Sequence, residues 1–78
     1  MSTQDYLFKL SYLSELIDNK NTGTADHIAE KLGISRRTIF RYLKDLKLMG
    51  AEISFDQKRN TYVFEEEFNV INSLFKGR

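Results

Sequence analysis

Arg36, Arg37 and Arg41 fall close together in the chain, with Lys44 and Lys47 just beyond them and Lys58-Arg59 further on. A guanidinium group is a planar fork of N–H donors. It grips a phosphate or the edge of a guanine through two parallel hydrogen bonds, whereas a lysine ammonium acts as a point charge. From Lys31 to Arg59 there are eight basic and three acidic residues, a net charge of +5, although the whole chain carries only +1. A charge map polarised in this way suits one face to a polyanion and keeps another face away from it.

Chemistry of other kinds finds little support. The chain has no cysteine, so it holds no thiolate nucleophile and no disulfide. His27 is the only histidine, and with no cysteine partner it makes no zinc site. Asp26 lies beside it and Thr24 is the nearest hydroxyl, but Thr24 is better placed to cap a helix than to attack a substrate. Glu65-Glu66-Glu67 reads as a solvated acidic step rather than a carboxylate cluster for metal. The expectation is a protein with no enzymatic activity, no cofactor, no metal and no small-molecule ligand.

The elements that must position the basic residues follow from periodicity. Tyr6, Leu10, Leu13 and Ile17 recur at steps of four, three and four, so a helix is predicted over Gln4–Asn19. Leu7 and Leu16 widen its stripe, Phe8 and Tyr12 lie toward the margin, and Thr3 is a candidate N-cap. Thr24 caps a second, short helix, Ala25–Leu32, whose inward residues are Ile28, Ala29 and Leu32; Gly33 supplies a left-handed stop. Ser35 caps a third helix that starts at Arg36 and runs to about Met49. Its inward stripe is Ile39, Leu43 and Leu46, with Tyr42 at the margin, and Gly50 ends it. Beyond Gly50 the period shortens to two. Ile53 and Phe55, then Tyr62 and Phe64, flank the polar turn Asp56–Asn60 and predict a β-hairpin.

Thr24–Leu46, TADHIAEKLGISRRTIFRYLKDL, meets the three demands of a helix-turn-helix. Ala29 lets the second helix cross closely, Gly33 permits the sharp turn, and Ile28, Leu32, Ile34, Ile39 and Leu43 lock the crossing. The run Ala29-Glu30-Lys31-Leu32-Gly33-Ile34-Ser35-Arg36-Arg37-Thr38-Ile39, continued by Leu43-Lys44-Asp45-Leu46 and Gly50, resembles the helix-turn-helix of the DeoR-like and biotin-repressor-like (type 11) bacterial families. The likeness extends over about residues 6 to 64. It implies a winged helix-turn-helix, mainly α, in the order α-α-α-β-β, with Ala51–Phe64 as the wing and double-stranded DNA as the partner. No sugar-phosphate or ligase domain follows in this chain, which looks more like short, stand-alone members of the superfamily.

On that frame Arg36, Arg37 and Arg41 are candidates for guanine edges, and Thr38 and Phe40 for thymine methyls or the backbone. Lys44 and Lys47 suit phosphates. Ser35 is first a helix cap, though with the helix N-terminus it also suits a phosphate. Lys58 and Arg59 suit the backbone or minor groove.

The domain is expected to span residues 1–64, with 65–78 as a C-terminal extension, extended or helical, that serves as a dimerisation segment. Asn69, Asn72, Ser73 and the β-branched residues among Phe68–Phe75 tilt it toward extended. Three helices and a hairpin close a core without Phe68, Val70, Ile71, Leu74 and Phe75, so these residues are expected either to fold back on the first helix or to meet their counterparts in a homodimer. The N-terminus has no basic, apolar leader and no stretch fit to span a membrane, so a cytoplasmic, nucleoid-associated protein is expected. The function expected is sequence-specific DNA binding by a transcription regulator. The alternatives are an accessory DNA-binding protein of a mobile element and a protein-interaction module on the same scaffold. The basic third helix argues against the module, and the lack of an aromatic stacking platform argues against RNA.

Overall fold

A computed structural model describes residues 3–68 and Val70. Three helices, α1 (Thr3–Asp18), α2 (Ala25–Leu32) and α3 (Arg36–Leu48), precede two strands, β1 (Ile53–Asp56) and β2 (Thr61–Phe64). The strands pair antiparallel, with Ile53 opposite Phe64 and Phe55 opposite Tyr62. This is the winged helix-turn-helix order that the sequence predicts.

The core is built from the predicted stripes. Leu10, Leu13 and Ile17 of α1 meet Ile28 and Leu32 of α2 and Ile39, Leu43 and Leu46 of α3. Ala29, Ile34, Ile53, Tyr62 and Phe64 pack around them. α1 lies against both α3 and β2, and α2 against α3.

Each helix stops by the same device. The amides of Asn21, Ile34 and Ala51 bond back to the carbonyls of Leu16, Ala29 and Leu46, five residues earlier, at 3.0–3.1 Å. Such a bond requires a left-handed residue just before the donor. Gly33 (φ 69°) and Gly50 (φ 111°) provide it at no steric cost, while at the end of α1 Lys20 (φ 55°) adopts it without being glycine. A methyl group on Gly33 would meet nothing within 4 Å, so conformation and not space calls for glycine there.

Several expectations are corrected. α1 begins at Thr3, which is thus its first residue rather than a cap. Tyr42 is not marginal but core, 2% exposed, with its ring edge-on to Tyr6 at 5.3 Å. Phe8 covers no neighbour; it is 72% exposed. It lies with the less exposed Tyr12 on the side of α1 away from the Leu10–Ile17 stripe. The connection between the strands is four residues, 57–60, because Asp56 pairs with Thr61 inside the ladder. The core also extends into the C-terminal segment. Val70 is helical and 4% exposed, and Phe68 packs on Phe64 with 5.4 Å between ring centres. These two side chains are therefore spent within the chain, Phe68 against Phe64 of the hairpin and Val70 in the buried cluster. Ile71, Leu74 and Phe75 lie outside the described residues.

One joint was not foreseen. Thr22, in the loop between α1 and α2, and Thr61, the first residue of β2, are each 1% exposed. The Thr22 amide donates to Thr61 Oγ1 at 3.0 Å, the Tyr62 amide donates to Thr22 Oγ1 at 2.9 Å, and the hydroxyls lie 3.1 Å apart. The wing is thereby bolted to the helix-turn-helix at its base. Thr61→Val keeps the shape and removes the hydroxyl, leaving a buried amide unpaired. A loss of about 1–3 kcal/mol is expected, read as a lower urea midpoint at constant slope. An unchanged midpoint would show the joint to be energetically idle.

Candidate nucleic-acid interface

The site is α3 with its flanks. Ser35 is extended (φ −76°, ψ 157°), and its Oγ accepts the Thr38 amide at 3.1 Å. This satisfies one of the free N–H groups that open a helix. The Thr38 hydroxyl lies 2.9 Å from Ser35 Oγ. Both hydroxyls are thus engaged with each other, and Thr38 is half-buried.

Ile39, Tyr42, Leu43 and Leu46 face the core. At 3.6 residues per turn the opposite face carries Arg37, Arg41 and Lys44, at steps of four and three, and all three are exposed. The row ends on Leu48, 76% exposed, which the sequence analysis did not single out although it continues the same spacing. Asp45, the acidic residue within the helix, is turned the other way. Its Oδ2 accepts the Tyr6 hydroxyl of α1 at 2.6 Å. Burial, helped by that bond and by the Asp45 charge, pushes the Tyr6 phenol up to about 12. The one carboxylate of α3 is thus taken off the basic face.

Arg36 and Phe40 occupy the flank of the row. Arg36 Nε lies 3.5 Å from Asp26 Oδ1 on α2, and its guanidinium carbon stands 5.3 Å from the centre of the Phe40 ring. Phe40 is 45% exposed. Arg36 is also felt by Tyr62 of the wing. Burial raises the Tyr62 phenol above its ordinary value, and the Arg36 charge pulls it part of the way back. Tyr62 stands edge-on to Phe55 at 4.9 Å. It is a residue of the site's edge that alternation placed only in the hairpin.

α2 is fixed by a reciprocal cap. Thr24 Oγ1 accepts the His27 amide, and His27 Nδ1 accepts the Thr24 amide at 3.3 Å. His27 is exposed, and its part in this cap is not one that its isolation in the sequence suggests. At the wing tip, Asp56 Oδ1 accepts the amides of Lys58 and Arg59 at 3.0 and 3.2 Å, and Asn60 takes a left-handed turn (φ 56°). The carboxylate shapes the turn, and both basic side chains are exposed on it. Arg59 Nε stays 3.8 Å from Asp56 Oδ2. Among the described residues, no group of His, Asp and Glu is arranged to hold a metal, and no helix is long and apolar enough to cross a membrane.

A capped, cation-bearing second helix behind a tight glycine turn, with a basic hairpin beside it, defines a winged helix-turn-helix protein. The family profile described as an HTH domain matches residues 9–63, well over half of the chain. The chain belongs to that family, and the match supports DNA as its partner, bound through the helix-turn-helix. No curated protein and no solved structure matches it.

Proposed function

We propose that the protein is a sequence-specific regulator of transcription that lays α3 in the major groove of duplex DNA and sets its wing on the backbone or minor groove. The row Arg37–Arg41–Lys44, exposed opposite the core, carries this reading. Arg37 and Arg41 read guanine edges, while Lys44, Lys47 and Lys58 meet phosphates. Arg59 joins Lys58 on the backbone, and Ser35, at the start of α3, faces a phosphate.

A single winged helix reads few base pairs, so the protein works as a homodimer on two half-sites. The outward aromatic pair Phe8 and Tyr12 supports α1 as the companion surface. Light scattering at tens of micromolar decides the point, and a monomeric mass would remove the pairing from the reading. The cellular setting that fits is the nucleoid.

If about six cations reach phosphates, the logarithm of affinity should fall against the logarithm of salt with a slope of roughly −5. Titration of a labelled pool of genomic duplexes at several salt concentrations measures this. No binding at about 50 mM salt would overturn DNA binding as the function.

A further inference from the structure

Arg36 differs from its neighbours on α3. Arg37, Arg41 and Lys44 stand exposed on the outer face, whereas Arg36 makes two contacts. Asp26 Oδ1 of α2 lies 3.5 Å from its Nε, and its guanidinium carbon stands over the Phe40 ring, one turn along α3, 5.3 Å from the ring centre. The wing residue Tyr62 senses its charge. Both contacts direct the guanidinium along the flank of α3 rather than outward with its neighbours. What it does instead is confine Phe40, whose ring would otherwise be a half-exposed apolar group free to change rotamer.

We infer that Arg36 is a positioning residue and that Phe40 is the specificity-determining residue it serves. Held from one side, the Phe40 ring offers its remaining surface to the floor of the major groove. The apolar group displayed there is the 5-methyl of thymine. Arg36 acts through the ring rather than on a base of its own. A lysine in its place would keep the charge but lose the planar fork that spans carboxylate and ring. The inference rests on the proposed DNA reading and refines it.

Selection of binding sites from a random duplex pool tests it, with the full chain and the variants Phe40→Ala, Arg36→Lys and Arg37→Ala. All three positions are exposed, and unchanged thermal melting certifies the fold. The wild type should enrich a motif containing a thymine. Phe40→Ala and Arg36→Lys should both lose preference at that same base pair, by roughly tenfold, the lower end of the range for one methyl group in an apolar contact. Arg37→Ala should instead lose preference at a different base pair. A purely structural role for Arg36 would blur the whole motif rather than one position of it. The inference is overturned if Arg36→Lys loses a base pair other than the one lost by Phe40→Ala, if it blurs every position, or if it changes none. If the wild type enriches no motif at all, the DNA reading itself fails and the inference goes with it.

Discussion

Replacing Arg37 and Arg41 together by alanine is expected to cut sequence preference sharply, leaving what Phe40 supplies, before it abolishes binding. Each side chain stands exposed on the face opposite the core, so neither loss disturbs the fold. A bidentate guanine contact is worth about 1–3 kcal/mol of discrimination, and the pair therefore about 2–6 kcal/mol if the two sites add. The lower bound is roughly thirtyfold against the wild type's preferred duplex. Affinity for unrelated duplexes should fall far less, because Lys44, Lys47, Lys58 and Arg59 remain. Lys58→Ala makes the contrast. It should weaken all sequences alike and flatten the salt slope by about one. Competition between preferred and scrambled duplexes separates the outcomes, and a double variant whose preference is undiminished would remove the arginines from base reading.

The second large effect is on stability. Phe68→Ala with Val70→Ala should lower the stability of the domain by about 2–4 kcal/mol, since one nearly buried aliphatic side chain and one half-buried ring leave the core. For a domain of this size the drop in melting temperature is on the order of 15 °C. Melting the wild type and the variant across a wide range of dilution tells core from interface. A deficit that persists on dilution belongs to the chain's own core. A deficit that disappears on dilution would show that the two residues serve a second subunit, as the sequence had suggested.

The core of α1, the whole of α2 and the start of α3 were legible because their signals are local. A cap, a 3.6-residue stripe and a glycine stop all lie within a few residues of one another, and two of the three left-handed helix ends announce themselves as Gly33 and Gly50. The third falls at Lys20, a residue with no intrinsic claim to it, where the Asn21 amide closes back on Leu16. The errors are non-local in the same sense. Tyr42 sits at the edge of its own helical stripe, and it joins the core where other elements meet it, Tyr6 of α1 edge-on among them. Thr22 and Thr61 look like ordinary loop and strand residues until the fold places them together across 39 positions. Periodicity shows Val70 to be apolar but does not say which apolar surface it meets. At the interface, the phase of α3 brought out Arg37, Arg41 and Lys44. The engagement of Arg36 by Asp26 depends on how α2 crosses α3, which spacing alone does not reveal.

The threonine joint at the base of the hairpin has a consequence for association. An arm that becomes ordered only on contact must surrender its conformational entropy at that moment, and the loss is subtracted from affinity. Here β2 is already fastened to the loop before α2 through the Thr22–Thr61 pair and the Tyr62 amide. Its ordering belongs to folding, so in the proposed reading Lys58 and Arg59 would reach a duplex from a frame already set. Association then proceeds as the docking of two preformed surfaces, with the heat-capacity change of interface burial alone and none from coupled folding of the wing.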